Sequence, residues 1–275
     1  MCRFFYLLLL VCIAGCAEAA SLHFGVAPYL SARTLVLEYG PMCDFLSQQT
    51  TQKLRIGTAG SLRDYLRRVD AGDFDLILTP PHLARFAQQS MGFRPLVGIK
   101  SDFYALLLIH RNDPATTLSD IKGRTLNMPD RLSLVVQQVN TFLGGLGIDP
   151  ERELRLRYHN TDNNAVLEML RTPNAVAATS RAVYERMSND ITAQLRVLGS
   201  TSSTLSLVLM VHPRLDEAVV AALRDAMNRF PYSEPGLAYF NRTSSYIVPV
   251  DDAQLAAYDT QLAFVRKELY GGGGR

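Results

Sequence analysis

Apolar residues in this chain come in short runs, separated by polar stretches of helical length. Residues 22–27 (LHFGVA) read as a strand that ends at the breaker Pro28, and residues 32–49 have helical character. Residues 54–59 alternate apolar and polar side chains, then meet a Gly60-Ser61 turn able to open a helix running to Asp70. Residues 74–79 form a short apolar strand stopped by Pro80-Pro81 ahead of another helix. Strands and helices alternating at this length predict βαβ units, a largely parallel sheet and right-handed connections.

Residues 103–110 are the longest strand-like run, and the turn Asn112-Asp113-Pro114 starts a second series. Its predicted strands are 125–128, 154–158, 175–179 and 195–199, with helices at 132–143 and 163–170. Gly144-Gly145-Leu146-Gly147 reads as a helix stop, because glycine supplies the positive φ that ends a helix. Residues 205–211 are again an apolar strand, followed by helices at 216–229 and 252–270 and a flexible glycine tail at 271–274. Two α/β series are thus joined by two extended crossings. Lobe 1 is expected to comprise residues 21–105 plus 207–275 and lobe 2 residues 106–206, with a hinge at the crossings.

The first residues do not belong to this pattern. Arg3 precedes an apolar run, residues 4–14, that is too short to span a bilayer and has the length of a signal-peptide core. Ile13-Ala14-Gly15-Cys16 resembles a bacterial lipobox, with residues 1–15 as the signal peptide and Cys16 as the lipidated residue. Ala17-Glu18-Ala19 offers an ordinary signal-peptidase site instead. The lipobox is favoured because its small residues sit directly before a Cys that ends the run. Either exit makes the mature protein an exported one, and a lipid on Cys16 would be its sole membrane attachment. Cys43 is then left without a partner, so no disulfide is expected and Cys43 reads as a small buried hydrophobe.

Composition narrows the function classes. The chain has 275 residues, 48% of them apolar, and 28 Lys+Arg against 26 Asp+Glu give a net charge of +2. That is a globular balance, and it removes the electrostatic case for nucleic acid. HExxH, CxxC and GxxxxGK[ST] patterns are missing, and His23, His82, His110, His159 and His212 stand singly without ligand spacing. No metal, cofactor or enzymatic activity is expected.

What the chain does offer is polar residues directly after predicted strands, where open α/β sheets bind ligands and helix N-termini present free N–H groups. The candidates are Tyr29, Ser61, Thr79, His82, Tyr104, Arg131, Ser133, Asn163 and Ser180. Tyr29 could wall a cleft and donate its hydroxyl, His82 could donate to an anion, and Tyr104 would put a ring between the lobes. Arg131 and Ser133 at a helix start suit a carboxylate, phosphate or sulfate. Each hydroxyl or Asn could equally be a helix cap with no ligand.

Several motifs recur together: Pro28-Tyr29 after a strand, Asp73-Phe74-Asp75-Leu76 before Thr79-Pro80-Pro81, and Tyr104 opening an apolar strand. So do Leu118-Ser119-Asp120-Ile121-Lys122-Gly123-Arg124 before a strand and Gly147-Ile148-Asp149-Pro150 after a helix. Over residues 22–245 the chain resembles the phosphate/phosphite/phosphonate-binding proteins of ABC transporters. The resemblance implies the α/β two-lobed type II periplasmic binding-protein fold, with mostly parallel sheets, flanking helices and two hinge crossings. It also implies a monomeric periplasmic protein that takes a small anionic, phosphonate- or phosphate-like ligand and delivers it to an ABC permease. Tyr29 and Tyr104 match family positions. The family's Ser-Thr-Ser-Gly anion loop is here Asp130-Arg131-Leu132-Ser133-Leu134, and its following His is replaced by Asn160-Thr161-Asp162-Asn163. A ligand-sensing accessory of a membrane receptor kinase stays open as the alternative.

Overall fold

A computed structural model describes residues 21–50 and 52–271. The segment expected to be a signal peptide, the expected lipidation site Cys16 and residues 272–274 of the expected tail lie outside the described residues. The strands are β1 (Leu22–Val26), β2 (Leu54–Gly57), β3 (Leu76–Thr79), β4 (Arg94–Phe103), β5 (Ala105–His110) and β6 (Thr125–Met128). They continue with β7 (Arg155–Tyr158), β8 (Val176–Ser180), β9 (Leu195–Ser200), β10 (Thr204–Val211) and β11 (Ser245–Val248). Two sheets result, ordered β11-β4-β10-β3-β1-β2 and β7-β6-β8-β5-β9.

The chain passes from the first sheet to the second at Tyr104 and returns through residues 201–203. Ala105 therefore belongs to the second sheet and residues 204–206 to the first, up to three positions from the expected boundaries. The crossings are tied together: Thr201 Oγ1 accepts the Ala105 N–H at 2.9 Å, and Gln138 Nε2 donates to Thr204 Oγ1 at 2.7 Å.

The sheets are mixed rather than mostly parallel. β1 pairs parallel with β2 and β3, and β6 with β7 and β8, as local βαβ units require. β10 and β5 enter from the opposite lobe, so they run antiparallel to β3, β4, β8 and β9. β4 also pairs antiparallel with β11. The single run expected at 103–110 is in fact two strands that end and begin on either side of Tyr104.

Each sheet buries both faces. Phe24, Leu76, Leu78 and Leu209 pack under the Ala32–Thr50 and Glu217–Arg229 helices, while Ile77, Val208 and Met210 pack under the Leu62–Asp70 and Pro81–Met91 helices. In the second lobe Leu107, Ile109, Leu126 and Met128 meet the Leu134–Gly145 helix, and Leu106, Leu108 and Ala177 meet the Asp162–Arg171 helix. Gly147 adopts φ +74°, the left-handed conformation that terminates the Leu134–Gly145 helix. Cys43 is buried and, among the described residues, unpaired. The expected helix at 252–270 is broken into Asp252–Ala256, a 3-10 turn at Asp259–Gln261, and Leu262–Tyr270. The break lets the segment wrap the Pro81–Met91 helix: Arg85 Nε donates to Asp259 at 2.6 Å, while Leu255, Val265 and Leu269 enter that core. Among the described residues no helix is long and apolar enough to cross a membrane.

Candidate functional site

Between the lobes lies a cavity of about 610 Å³, lined from both sides of the crossings. Three helices of eight residues or more open onto it, and each presents an N-cap hydroxyl as part of the wall. Ser61 Oγ accepts the Asp64 N–H at 3.1 Å, and Ser133 Oγ accepts the Val136 N–H at 3.3 Å. Thr161 Oγ1 accepts the Asn164 N–H at 3.2 Å. Each hydroxyl thus uses a lone pair for its helix, as polar residues at strand-to-helix turns do. The protons of Ser133 and Thr161 have no hydrogen-bonded acceptor among the described residues, and Ser61 donates to Asp64 at 2.9 Å. Helix N-termini from both lobes add partial positive charge to the same space.

The first-lobe wall carries linked phenols. The hydroxyls of Tyr29 and Tyr39 are hydrogen-bonded, and the Tyr239 hydroxyl donates to that of Tyr39 at 3.5 Å. Burial pushes the Tyr239 phenol up to about 12 and holds Tyr39 well above the usual tyrosine value, so both stay neutral at physiological pH.

Charge on the wall is mixed. Arg181, Arg186 and Arg242 face the cavity together with Glu38, Asp102, Asp130, Asp162 and Glu185. Arg181 is held by Glu185 at 2.6 Å and Asp102 at 3.7 Å, and Arg242 by Glu38 at 3.3 Å. Carboxylates outnumber arginines, so an anion here would depend on directed N–H and O–H groups rather than on a positive wall. Burial raises the carboxyls of Asp130 and Asp162 above the ordinary value, while hydrogen bonds from Leu132 and Ser180 respectively oppose the shift.

Of the residues singled out from the sequence, Tyr29, Ser61, Ser133 and Ser180 line this cavity. Five do not. Thr79 ends β3 between β1 and β10 and is fully buried beneath the wall. His82 is fully buried as well, its Nε2 set 2.9 Å from the Leu132 carbonyl oxygen across the lobe boundary. Tyr104 lines an adjoining depression together with Thr201 and Ser203 of the return crossing, with the Arg181 guanidinium 5.4 Å from its ring centroid. Arg131 turns away from the cavity, onto the Tyr158 ring at 4.8 Å and towards Glu268 of the other lobe at 3.4 Å. Asn163 is exposed on the first helical turn, whereas its neighbours Asn160, Thr161 and Asp162 line the cavity.

Tyr39, Tyr239, Arg186 and Arg242 are wall residues that strand-end reasoning does not reach. Tyr39 lies within the Ala32–Thr50 helix and Tyr239 within Glu234–Thr243, where an aromatic ring reads simply as core.

Two mixed α/β lobes joined by two crossings, with a solute-sized cavity walled by both, form the architecture of a two-lobed binding protein. The family model for the periplasmic substrate-binding protein of phosphonate ABC transporters matches residues 24–255, and the chain belongs to that family. Its fold is similar to PhnD1 from Prochlorococcus marinus in complex with methylphosphonate, at TM-score 0.77 and 12% identity, covering 90% of this chain and 98% of that one. It is also similar to a binding protein component of an ABC phosphonate transporter from Pseudomonas aeruginosa, at TM-score 0.75 and 17% identity over 90% and 86% of the two chains. XAC2383 from Xanthomonas citri, bound to chloride ion, matches at TM-score 0.73 and 18% identity over 90% and 99%. At these identities the likeness concerns the fold. No curated protein matches the sequence.

Proposed function

We propose that this protein is the exported, lipid-anchored solute-binding component of an ABC importer, and that its solute is a small phosphonate-like oxyanion. The observation that carries this reading is the meeting of three capped helix N-termini, at Ser61, Ser133 and Thr161, on one cavity walled by both lobes. Each N-terminus favours an anion by about 0.3–1 kcal/mol, and the hydroxyl protons of Ser133 and Thr161 can turn to its oxygens. Tyr29 adds a phenolic donor from the first lobe. Contacts from both lobes coexist only when the cleft is shut, so the solute shifts the population towards the closed form, which a permease then receives. The protein acts as a monomer held to the membrane by a lipid on Cys16.

A thermal-shift panel tests the ligand class. Methylphosphonate, phosphate, phosphite, sulfate, small carboxylates and amino acids are compared at matched ionic strength. A cognate oxyanion at 100 times its Kd is expected to stabilise the protein by about 2.7 kcal/mol. A shift with neutral solutes and none with any oxyanion would sink the oxyanion assignment.

A further inference from the structure

The lobes also grip each other beside the cavity, through residues that do not line it. Leu132 belongs to the loop after β6 in the second lobe, yet its side chain is 2% exposed because it packs into the first lobe's core, among residues of the cluster that holds Leu83, Ala84 and Val265. Its carbonyl oxygen lies 2.9 Å from His82 Nε2, at the start of the Pro81–Met91 helix. Beside it Arg131 reaches Glu268 at 3.4 Å, and Glu268 is also paired with Arg63 of its own lobe at 3.0 Å. Neither His82 nor Leu132 lines the cavity.

The contact dictates the state of the imidazole. A carbonyl only accepts, so Nε2 must carry the proton and donate. The other nitrogen, Nδ1, is buried with no hydrogen-bond partner among the described residues. A second proton there would place a charge and an unpaired donor in an apolar core, which is strongly unfavourable.

We infer that His82 and Leu132 are positioning residues for solute binding: they form a latch that holds the lobes closed without touching the solute, and the latch shuts only while His82 is neutral. The inference rests on the protein being a solute binder that opens and closes, and not on which solute it takes.

The proton dependence has a definite sign. Burial lowers His82 from its ordinary 6.5 to about 4 where the two lobes meet, with the Leu132 hydrogen bond opposing the shift. Opening returns the ring to water, so the open form takes up the proton first. Closure is fully favoured above pH 6.5 and weakens as pH falls towards 4. The loop and helices packed around it carry Asp130 and Arg131, then Arg63, Asp64, Tyr65, Arg67, Arg68 and Asp70 on Leu62–Asp70, and Arg266, Lys267, Glu268 and Tyr270 on Leu262–Tyr270, and no charge among them is a cause of the His82 shift. On its own helix Arg85 is neutralised by Asp259 and approached by Asp252. Asp130, raised by burial, acts in the opposite sense, because its protonation favours the closed form.

The test uses small-angle scattering of the purified, solute-free protein, which reports the separation of the lobes. From pH 7.5 to 5.5 the closure constant should fall about tenfold in the wild type. His82→Gln keeps an N–H for the Leu132 carbonyl but cannot titrate, so its scattering should be the same at both values. Leu132→Ala should open the protein at pH 7.5 with unchanged circular dichroism, since that side chain contributes nothing to its own lobe's core. A wild-type profile that does not move with pH overturns the inference, as does a His82→Gln profile that moves equally far, or a Leu132→Ala protein that stays closed. If the pH-dependent opening is found but methylphosphonate and the other oxyanions fail to bind, the latch stands and the oxyanion reading falls.

Discussion

The carboxylate of Asp162 accepts the backbone N–H of Ser180 at 2.7 Å, joining the start of the Asp162–Arg171 helix to the end of β8 on the second-lobe wall. The same oxygen lies 3.4 Å from the Thr179 hydroxyl. This places a negative charge on the cavity wall for a structural reason, where it opposes any anion. Asp162→Asn keeps an acceptor for the Ser180 N–H and removes the charge. Methylphosphonate affinity is expected to rise roughly three- to tenfold, measured by isothermal titration at pH 7.5. Unchanged binding would show that the Asp162 charge does not reach the solute, and weaker binding that Asp162 serves the solute directly.

Capping and solute binding can be separated at Ser133. Ser133→Asp supplies an oxygen that caps the Leu134–Gly145 helix as well as serine does. Stability to urea should therefore change by less than about 0.5 kcal/mol. The added charge at the cavity should weaken oxyanion binding more than about tenfold. Equal losses in both measurements would mean that Ser133 matters only as a cap.

In the first lobe, β1 can lie flat over Phe74 only because position 25 has no side chain. A Cβ on Gly25 would sit 2.6 Å from the Phe74 ring, itself 1% exposed. Gly25→Ala is expected to cost about 1–3 kcal/mol in chemical denaturation, because the ring has no free space to enter. The double variant with Phe74→Leu should recover part of that loss.

The second lobe should lose stability in acid through Asp113. This carboxylate is 4% exposed, and Arg124 donates to it at 2.9 Å. Burial pushes Asp113 up, but the Ala115 N–H and Arg124 pull it further down, so its carboxyl ends below the ordinary 3.8. A lowered carboxyl contributes stability above 3.8 and loses it as pH falls through the folded-state value. Asp113→Asn should cost about 3 kcal/mol at pH 7 because it leaves a largely buried guanidinium without its partner. The gap between variant and wild type should shrink below pH 4, followed by urea unfolding at each pH.

Local pattern made the helices and parallel strands legible. Residues 125–128 were expected as a strand and form one, because a short apolar run between turns has few alternatives. β4 was not legible: RPLVGIKSDF mixes proline, glycine and charge, and its pairing comes from β10 and β11, more than a hundred residues downstream. The candidate site divides in the same way. Ser61 and Ser133 sit at strand-to-helix turns whose geometry is local, and they line the cavity. Thr79 and His82 occupy an equivalent turn, but a strand and a loop of the other lobe cover it, so both are buried.

The sequence alone therefore determined the αβ alternation, the double crossing and the helix starts that could receive a solute, since each depends on neighbours a few residues apart. Only the tertiary structure decided which of those starts face the cleft. It also decided that the sheets are mixed, that phenols at 39 and 239 share the wall with Tyr29, and that Arg131 and His82 join the lobes instead of facing the cavity. Those outcomes follow from which surfaces two separately folded lobes bury against each other. Hydrophobic periodicity within either lobe carries no record of that choice.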